Sequence, residues 1–204
     1  MFDSGISVNY LVDELINEVD IALDIPKATY VEWLNSLQQL LYTEIIKEQR
    51  KITLKSPLQS PISLSLIPIQ ENENTPRFED IHAVYADDIQ LIKSTVASGA
   101  IFLDTFYKEN NNIGYRTKKV PTELNIVYIV KPALITIMLG STAINEVNIM
   151  VPVEFIDLVK AKLRGEAYKL ANEDALAAKW LNDYNMLLET FKAWIAEKSP
   201  NFGL

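Results

Sequence analysis

The chain has 204 residues, of which 49% are hydrophobic and 23% charged, an ordinary globular composition. This length supports one sizeable core and favours one domain, or one domain with an insertion, over several independent ones. The absence of cysteine excludes disulfides and thiolate metal sites. The apolar stretches are too short to span a bilayer, and the first residues lack the basic and apolar regions of a secretory signal. We therefore expect a soluble protein that is made inside the cell.

The formal charge of −8 is distributed unevenly. The first fifty residues contain nine acidic and only three basic side chains. A surface of this kind repels phosphate, which argues against a dedicated nucleic-acid-binding protein. We interpret the acidic residues first as the solvated face of a helix.

The N-terminal region predicts two amphipathic helices that pack as neighbours. Ser7 is the expected N-cap of the first helix, and Pro26 is expected to end it. Thr29 and Glu32 have capping-box spacing at the start of the second. The apolar stripes comprise Val8, Leu11, Val12, Leu15, Ile16, Val19, Ala22 and Leu23 in the first helix and Tyr30, Trp33, Leu34, Leu37, Leu40, Leu41 and Ile45 in the second.

The middle of the chain predicts β-strands. Alternating apolar residues between Ile52 and Ile69 are interrupted by three prolines, which indicates short or edge strands because proline cannot donate to a central ladder. Two hairpins are expected, with turns at residues 86–88 and 109–112. The run Leu124 to Val130 is rich in β-branched residues and predicts a further strand.

The C-terminal region predicts two more helices. The run that precedes them, Leu134 to Leu139, is compatible with a strand or a short helix. Pro152 suits the first turn of the third helix, and Asn172 is the expected N-cap of the fourth. Ser199 to Leu204 predicts a flexible tail.

The order of these elements predicts an α+β fold. We expect a helical bundle built from residues 1–50 and 151–198, a discontinuous core. Residues 51–150 would form an inserted, antiparallel β-rich region, and residues 199–204 the flexible tail.

The sequence offers no pattern typical of catalysis. The single histidine, His82, lies in a predicted strand and is interpreted as a structural or surface residue. The six glycines are scattered, so no phosphate-binding loop can be written from them. Carboxylate pairs such as Asp87–Asp88 occur at turns and on helix faces, where solvation explains them. We therefore predict no catalytic residues, no metal site and no cofactor, and expect that the protein is not an enzyme.

Two features are candidate interfaces. Arg116, Lys118 and Lys119 form a basic cluster beside Tyr115, which could contact a phosphate backbone or an acidic neighbour. An exposed loop with ordinary solubilising charge is the alternative. Trp194 lies at the edge of the apolar stripe of the last helix, where it could be partly exposed and anchor an interface.

Several short motifs, in order, resemble the head–tail adaptor proteins of tailed phages. Ala28 to Ile46 (ATYVEWLNSLQQLLYTEII) resembles the N-terminal helix of that family, which begins at a Trp-Leu-Asn step. Asp80 to Leu91 (DIHAVYADDIQL) is similar to its hairpin, and Leu124 to Pro132 (LNIVYIVKP) to its strand closed by a basic residue and proline. Val151 to Leu170 and Ala175 to Ile195 resemble its closing helix pair.

The resemblance implies a structural virion protein of the phage neck or tail, made in the host cytoplasm. Such adaptors form homo-oligomeric rings beneath the portal protein, contact tail or nozzle proteins, and keep the DNA exit channel continuous without contacting a membrane. In such a ring, Asp13, Glu14 and Glu18 are expected to face the DNA or a basic patch on a neighbour. The tail residues Phe202 and Leu204 are expected to dock on the portal.

Two alternatives stay open. The first is another neck or tail-completion protein, which the sequence pattern hardly separates from an adaptor. The second, from a different class, is a carbohydrate-active or other hydrolase that uses carboxylates.

Overall fold

The computed structural model describes residues 2–19, 23–55, 60–68, 73–94, 103–110, 112–137 and 147–198. The fold is α+β, in agreement with the sequence. The chain divides into two compact units. The helical unit takes in the described residues of Met1–Ile46 and Pro132–Gly203, and the sheet unit comprises those of Lys47–Lys131. The structure therefore places residues 47–50 in the sheet unit and residues 132–137 and 147–150 in the helical unit, unlike the predicted limits of 51 and 150.

The described part of the helical unit contains four α-helices. Their bounds are α1 Val8–Glu18, α2 Lys27–Leu40, α3 Ile156–Leu170 and α4 Asp174–Lys198. A π-helical segment, Leu41–Ile46, follows α2 directly, and a 3₁₀ turn, Val153–Phe155, precedes α3. The predicted tail, residues 199–204, lies outside the described residues.

The starts of α1 and α2 confirm one predicted cap and contradict another. The Tyr10 backbone N–H donates to Ser7 Oγ at 3.2 Å, which confirms Ser7 as the N-cap of α1. The capping box at Thr29 is wrong, because α2 already begins at Lys27, directly after Pro26. The Thr29 N–H donates instead to the Pro26 carbonyl, within the first turn of the helix.

The prediction for Asn172 is also wrong. This residue has a positive φ of 60° and ends α3 instead of capping α4. The Asn172 N–H donates to the Lys169 carbonyl and the Glu173 N–H to the Tyr168 carbonyl, which is the Schellman arrangement. Asparagine suits both positions, because its short amide can cap a helix start and it tolerates the left-handed conformation.

Helix α3 is the central element of the helical unit. It packs along α4 and also contacts α1 and α2. Its fully buried side chains include Leu158, Val159 and Leu163. A Cβ added at Gly165 would lie 2.7 Å from Leu181 Cδ2, so this glycine lets α4 approach closely. Burial of this face against three helices is the main hydrophobic contribution to the stability of the unit.

The segment around Ile149 completes this core in extended conformation. The Ser4 N–H donates to the Ile149 carbonyl at 3.0 Å, and the Ile149 N–H donates to the Ile6 carbonyl at 2.9 Å. The Met150 N–H donates to the buried Gln38 side chain at 2.6 Å. Residues 134–137, the described part of the run predicted as strand or short helix, form neither a named strand nor a helix.

The described residues of the sheet unit form a seven-stranded, curled sheet in the order β1-β7-β3-β4-β5-β6-β2. The strand bounds are β1 Gln49–Lys55, β2 Ile62–Ser63, β3 Ile81–Ala86, β4 Ile89–Ser94, β5 Thr105–Glu109, β6 Asn112–Arg116 and β7 Glu123–Ile129. The sheet is mixed, because β4 and β5 are parallel, so the expectation of a purely antiparallel region is wrong. The sequence could not reveal this, since strands of either direction show the same alternation of side chains.

Other strand predictions are confirmed. The proline-interrupted region supplies β1 and β2, and these are the two edges of the sheet. Both hairpins form, and each turn contains a residue with positive φ, Asp87 at 51° and Asn110 at 57°. The strand predicted at Leu124 to Val130 is β7, which pairs on one side with β1 and on the other with β3.

We predict that Gly165→Ala destabilises the protein although alanine favours helix. The helix-propensity gain is at most about 1 kcal/mol, whereas overpacking against Leu181 costs roughly 1–3 kcal/mol. Urea unfolding should therefore show a net loss of about 1 kcal/mol or more. The matched control is Leu181→Ala, which in the double variant should remove the penalty of the alanine at position 165. A Gly165→Ala variant as stable as the parent would contradict the close packing described here.

Candidate functional site

The acidic residues of α1 are paired within the helical unit. Glu14 accepts a hydrogen bond from Lys160 Nζ at 2.5 Å, and Glu18 pairs with Arg164. Asp13, farther out, pairs with Lys27. The partners of Glu14 and Glu18 project from α3, so two charge pairs join the first helix to the third.

This pairing changes what α1 offers to another molecule. Glu14 and Lys160 are largely shielded, with side chains 22% and 18% exposed, so their charges are engaged inside the chain. Asp13 is 52% exposed and keeps access to solvent. The expectation that these acids face DNA or a neighbour stays a prediction, and any such contact would have to compete with Lys27, Lys160 and Arg164.

The basic cluster lies at the end of β6 and in the turn that follows it. Arg116 stands 5.7 Å from the centre of the Tyr107 ring, a cation–π contact. Lys118 and Lys119 are exposed, and the Thr117 hydroxyl donates to the Lys119 carbonyl at 2.7 Å, which holds the turn. The cations are therefore presented on an ordered turn.

Trp194 belongs to an aromatic cluster near the end of α4. Its ring centroid lies 5.4 Å from that of Phe155, 5.5 Å from Phe2 and 6.3 Å from Phe191. Trp194 is only partly buried, and Lys198 stands over its ring. Phe202 and Leu204 lie outside the described residues, so their predicted contact with the portal is not addressed by the structure.

A groove between α3 and α4 was not identified from the sequence. It has a volume of about 510 Å³. One wall is formed by residues of α3 at helical spacing and the other by the facing residues of α4. The lining residues are Asp157, Ala161, Arg164, Trp180, Asp183, Met186, Leu187 and Thr190.

The charges in this groove are not balanced. Arg164 pairs with Glu18 and stacks over Trp180, 4.6 Å from the ring centre. Asp157 and Asp183 make no ion pair with any described residue. Met186 is 65% exposed. The groove thus combines apolar lining residues, such as Met186 and Leu187, with two available carboxylates. The helical period alone predicted only a core position for Trp180 and Leu187.

The sheet unit has a smaller cleft of about 280 Å³. It is lined by Lys51, Tyr85, Asp87, Asp88, Asn125 and Val127. Hydrogen bonds from the Thr122 hydroxyl and from the backbone N–H groups of Glu123 and Thr122 hold the pKa of Asp87 below its ordinary value. Asn125 is also engaged, since it accepts from Thr53 and donates to Glu123. The polar groups of Asp87 and Asn125 therefore already have hydrogen-bond partners within the fold.

Two ion pairs in the sheet unit contain a buried carboxylate. Arg50 contacts Glu73 at 2.5 Å, and the Glu73 side chain is 1% exposed. Lys131 pairs with Asp80, whose side chain is 6% exposed. Burial, together with the negative charge of Glu73, raises the pKa of the Tyr128 hydroxyl. A run of polar residues gives no indication that some of their side chains are buried, so these two ion pairs could not be predicted from the sequence.

The remaining titratable groups show little that is typical of catalysis. His82 is exposed on β3, at an irregularity of the β3–β7 register. Across the described ranges, no group of three or more histidine, aspartate and glutamate side chains could hold a metal ion. A hydrogen bond from exposed Lys108 lowers the pKa of Glu79, which is also exposed. No helix in the described part of the chain is long and apolar enough to cross a membrane.

We predict that Glu14→Gln lowers the free energy of unfolding by about 1 kcal/mol, because it leaves Lys160 without its partner at a largely shielded position. The matched control is Asp24→Asn, an exposed acid that forms no ion pair among the described residues. Thermal denaturation would detect the difference. The exchange Glu14→Lys with Lys160→Glu should recover part of the loss, and equal stability of Glu14→Gln and the parent would contradict the pairing.

We predict that the Asp87 carboxylate stabilises the β3–β4 turn in a pH-dependent way. Because its folded pKa is lowered, its contribution is present above the ordinary aspartate pKa of about 3.9 and is lost as the pH falls through the lowered folded value. Thr122→Val removes one donor and should raise the pKa of Asp87. Carboxyl NMR titration of the parent and the variant measures both values, and identical pKa values would refute the role of Thr122.

The sequence resemblance stands without support from relatives, since no protein-family model and no curated protein matches the chain. The adaptor role therefore stays a prediction from short motifs.

Proposed function

We propose that the chain is a structural subunit of a tailed-phage head–tail adaptor ring. In this role it joins the portal at the capsid vertex to the tail, lines the DNA channel and catalyses no reaction. The observation that carries the proposal is the discontinuous helical unit, in which helices from both ends of the chain pack together while the sheet unit is inserted between them.

The segments that carry the resemblance coincide with regular elements, in the expected order. The Trp-Leu-Asn step lies in α2, the Val-Tyr segment in the β3–β4 hairpin and the basic residue with proline after β7. The two closing segments are α3 and α4, joined by a tight turn. This order supports the proposal, although the Trp-Leu-Asn step lies inside α2, which already begins at Lys27.

The finer arrangement that we propose is a helical bundle of α1 to α4. Contacts of α3 with the other three helices support it. Charge pairs join α1 to α3 although the paired residues lie 146 positions apart in sequence. They therefore connect the parts of the helical unit that precede and follow the sheet unit along the chain. A scaffold closed in this way keeps its shape while the inserted unit and its loops contact other subunits.

The surface offers contacts of the kind that a ring needs. A closed ring uses heterologous contacts, in which one patch meets a different patch on the next subunit. Strand β1 is an edge of seven residues with a neighbour on one side, and the α3–α4 groove is an apolar depression on the other unit. Patches of this kind are available for contacts between subunits.

The alternative from another class, a carboxylate-dependent hydrolase, is less well supported. Its best site is the cleft with Asp87 and Asp88. A general acid in such an enzyme needs a raised pKa, whereas hydrogen bonds lower the pKa of Asp87. Another neck or tail-completion protein shares the features described above, and partner binding separates it from an adaptor.

The proposal predicts that the purified chain forms a ring in the presence of the portal protein. Size-exclusion chromatography with light scattering, followed by negative-stain imaging, should show a collar of repeated subunits on the portal. Portal alone is the control for the collar. A chain ending at Lys198 should form the same collar with weaker binding, because residues 199–204 include the proposed docking residues.

The same experiment separates the alternatives. A chain that stays monomeric with and without portal contradicts the adaptor role. A ring that binds an isolated tail tube but not the portal would favour a tail-completion protein. A monomer that hydrolyses a polysaccharide, with loss of activity in Asp88→Asn, would favour the hydrolase.

A further inference from the structure

The most distinctive unused surface is the α3–α4 groove. Asp157 and Asp183 line it and are available for an outside cation, because neither makes an ion pair with a described residue. The apolar floor includes Met186, which is 65% exposed, and the half-buried Leu187. A partner that fits must therefore bring at least two positive charges and one small apolar side chain.

The turn after β6 has these properties. Lys118 and Lys119 are exposed and make no ion pair with a described residue. Val120 is 75% exposed, the highest value among the large hydrophobic side chains of the described chain. The Thr117 hydroxyl bonded to the Lys119 carbonyl fixes the turn on one side, and buried Pro121 anchors it on the other. A preorganised turn loses little conformational entropy on binding.

We propose that the Lys118–Val120 turn of one copy docks into the α3–α4 groove of a neighbouring copy. Lys118 and Lys119 would pair with Asp157 and Asp183, and Val120 would cover Met186. The contact is heterologous and therefore suits a ring. The inference rests on the proposed function and deepens it by naming the two patches that meet between subunits.

The charges of the chain favour this groove over α1 as the partner of the basic turn. The α1 carboxylates already have cationic partners in the same chain, so a neighbour's lysine would have to displace one of them. The groove also contains cations at its Trp180 end, Arg164 and nearby Lys179. Arg164 is compensated by Glu18, whereas Asp157 and Asp183 make no ion pair with a described residue.

A cross-linking experiment tests the contact directly, because the chain contains no cysteine. Val120→Cys and Met186→Cys are prepared as separate full-length chains, mixed under ring-forming conditions with portal, and treated with a short bismaleimide. Each chain carries one thiol, so a Val120–Met186 cross-link can form only between copies. The matched control pairs Val120→Cys with Tyr10→Cys, an exposed residue of α1. We expect cross-linked dimer in the first mixture and at least about tenfold less in the control.

Charge reversal supplies a second readout. Lys118→Glu with Lys119→Glu should weaken subunit association about tenfold or more, since like charges would then face each other. Asp157→Lys with Asp183→Lys in the same chain should restore most of the association. Lys192→Glu is the control for a change of net charge, because that exposed residue lies outside the groove. Circular dichroism verifies that each variant is folded.

The outcomes distinguish this inference from the function on which it rests. Rings on the portal without the Val120–Met186 cross-link, or with cross-linking no greater than in the control, overturn the docking contact and leave the adaptor role standing. The cross-link in a dimer or open chain that never binds portal supports the contact and contradicts the adaptor role. Lack of both association and cross-link overturns both.

Discussion

The packing of α3 is the constraint on which the helical unit depends. One face of the helix is buried against α4, where Gly165 permits close approach to Leu181. From elsewhere on the same helix, Lys160 and Arg164 reach the carboxylates of α1. A single helix near the C-terminus thus connects residues that are 146 positions apart in sequence. Loss of its position would break its contacts with α1, α2 and α4 and remove one wall of the groove.

The sheet unit has a corresponding constraint close to the residues where the chain enters and leaves it. Arg50 near the start of β1 pairs with buried Glu73, and Lys131 after β7 pairs with buried Asp80. Removing one partner of a buried pair leaves an uncompensated charge, which typically destabilises by about 3–5 kcal/mol. Each pair therefore disfavours separation of one end of the unit from the segment that contains Glu73 and Asp80.

The sequence predicted the fold well where one local signal decides the structure. Helical periodicity located α1 to α4, and proline located the edge strands, because both effects act within a few residues. Prediction from the sequence failed where one residue suits two different local structures. Asn172 is an example, because its side chain suits a helix start and its backbone suits a helix end. Prediction also failed where the structure depends on strand direction or on pairing between residues far apart in sequence, as in the parallel β4–β5 pair.

The candidate site shows the same division. The acidic face of α1 and the basic turn after β6 were recognisable as clusters of charge. Their partners were not, because pairing of Glu14 with Lys160 depends on how α1 and α3 pack. The groove could not be predicted for a related reason, since Trp180 packs against the core and also lines the groove. Composition and periodicity assign such a residue to one role.

The ion pairing of the acidic residues of α1 has a consequence for the proposed ring around DNA. A carboxylate paired with a lysine acts at a distance as a dipole, and its field is screened within about 8 Å at physiological salt. The pairs on α1 therefore contribute more to holding the helical unit together than to repelling a duplex. The overall charge of −8 still repels phosphate. Stability and the repulsion of DNA can thus depend on different acidic residues. A mutation that reverses an α1 acid alters both charge and packing, whereas one at an exposed, unpaired acid alters charge alone.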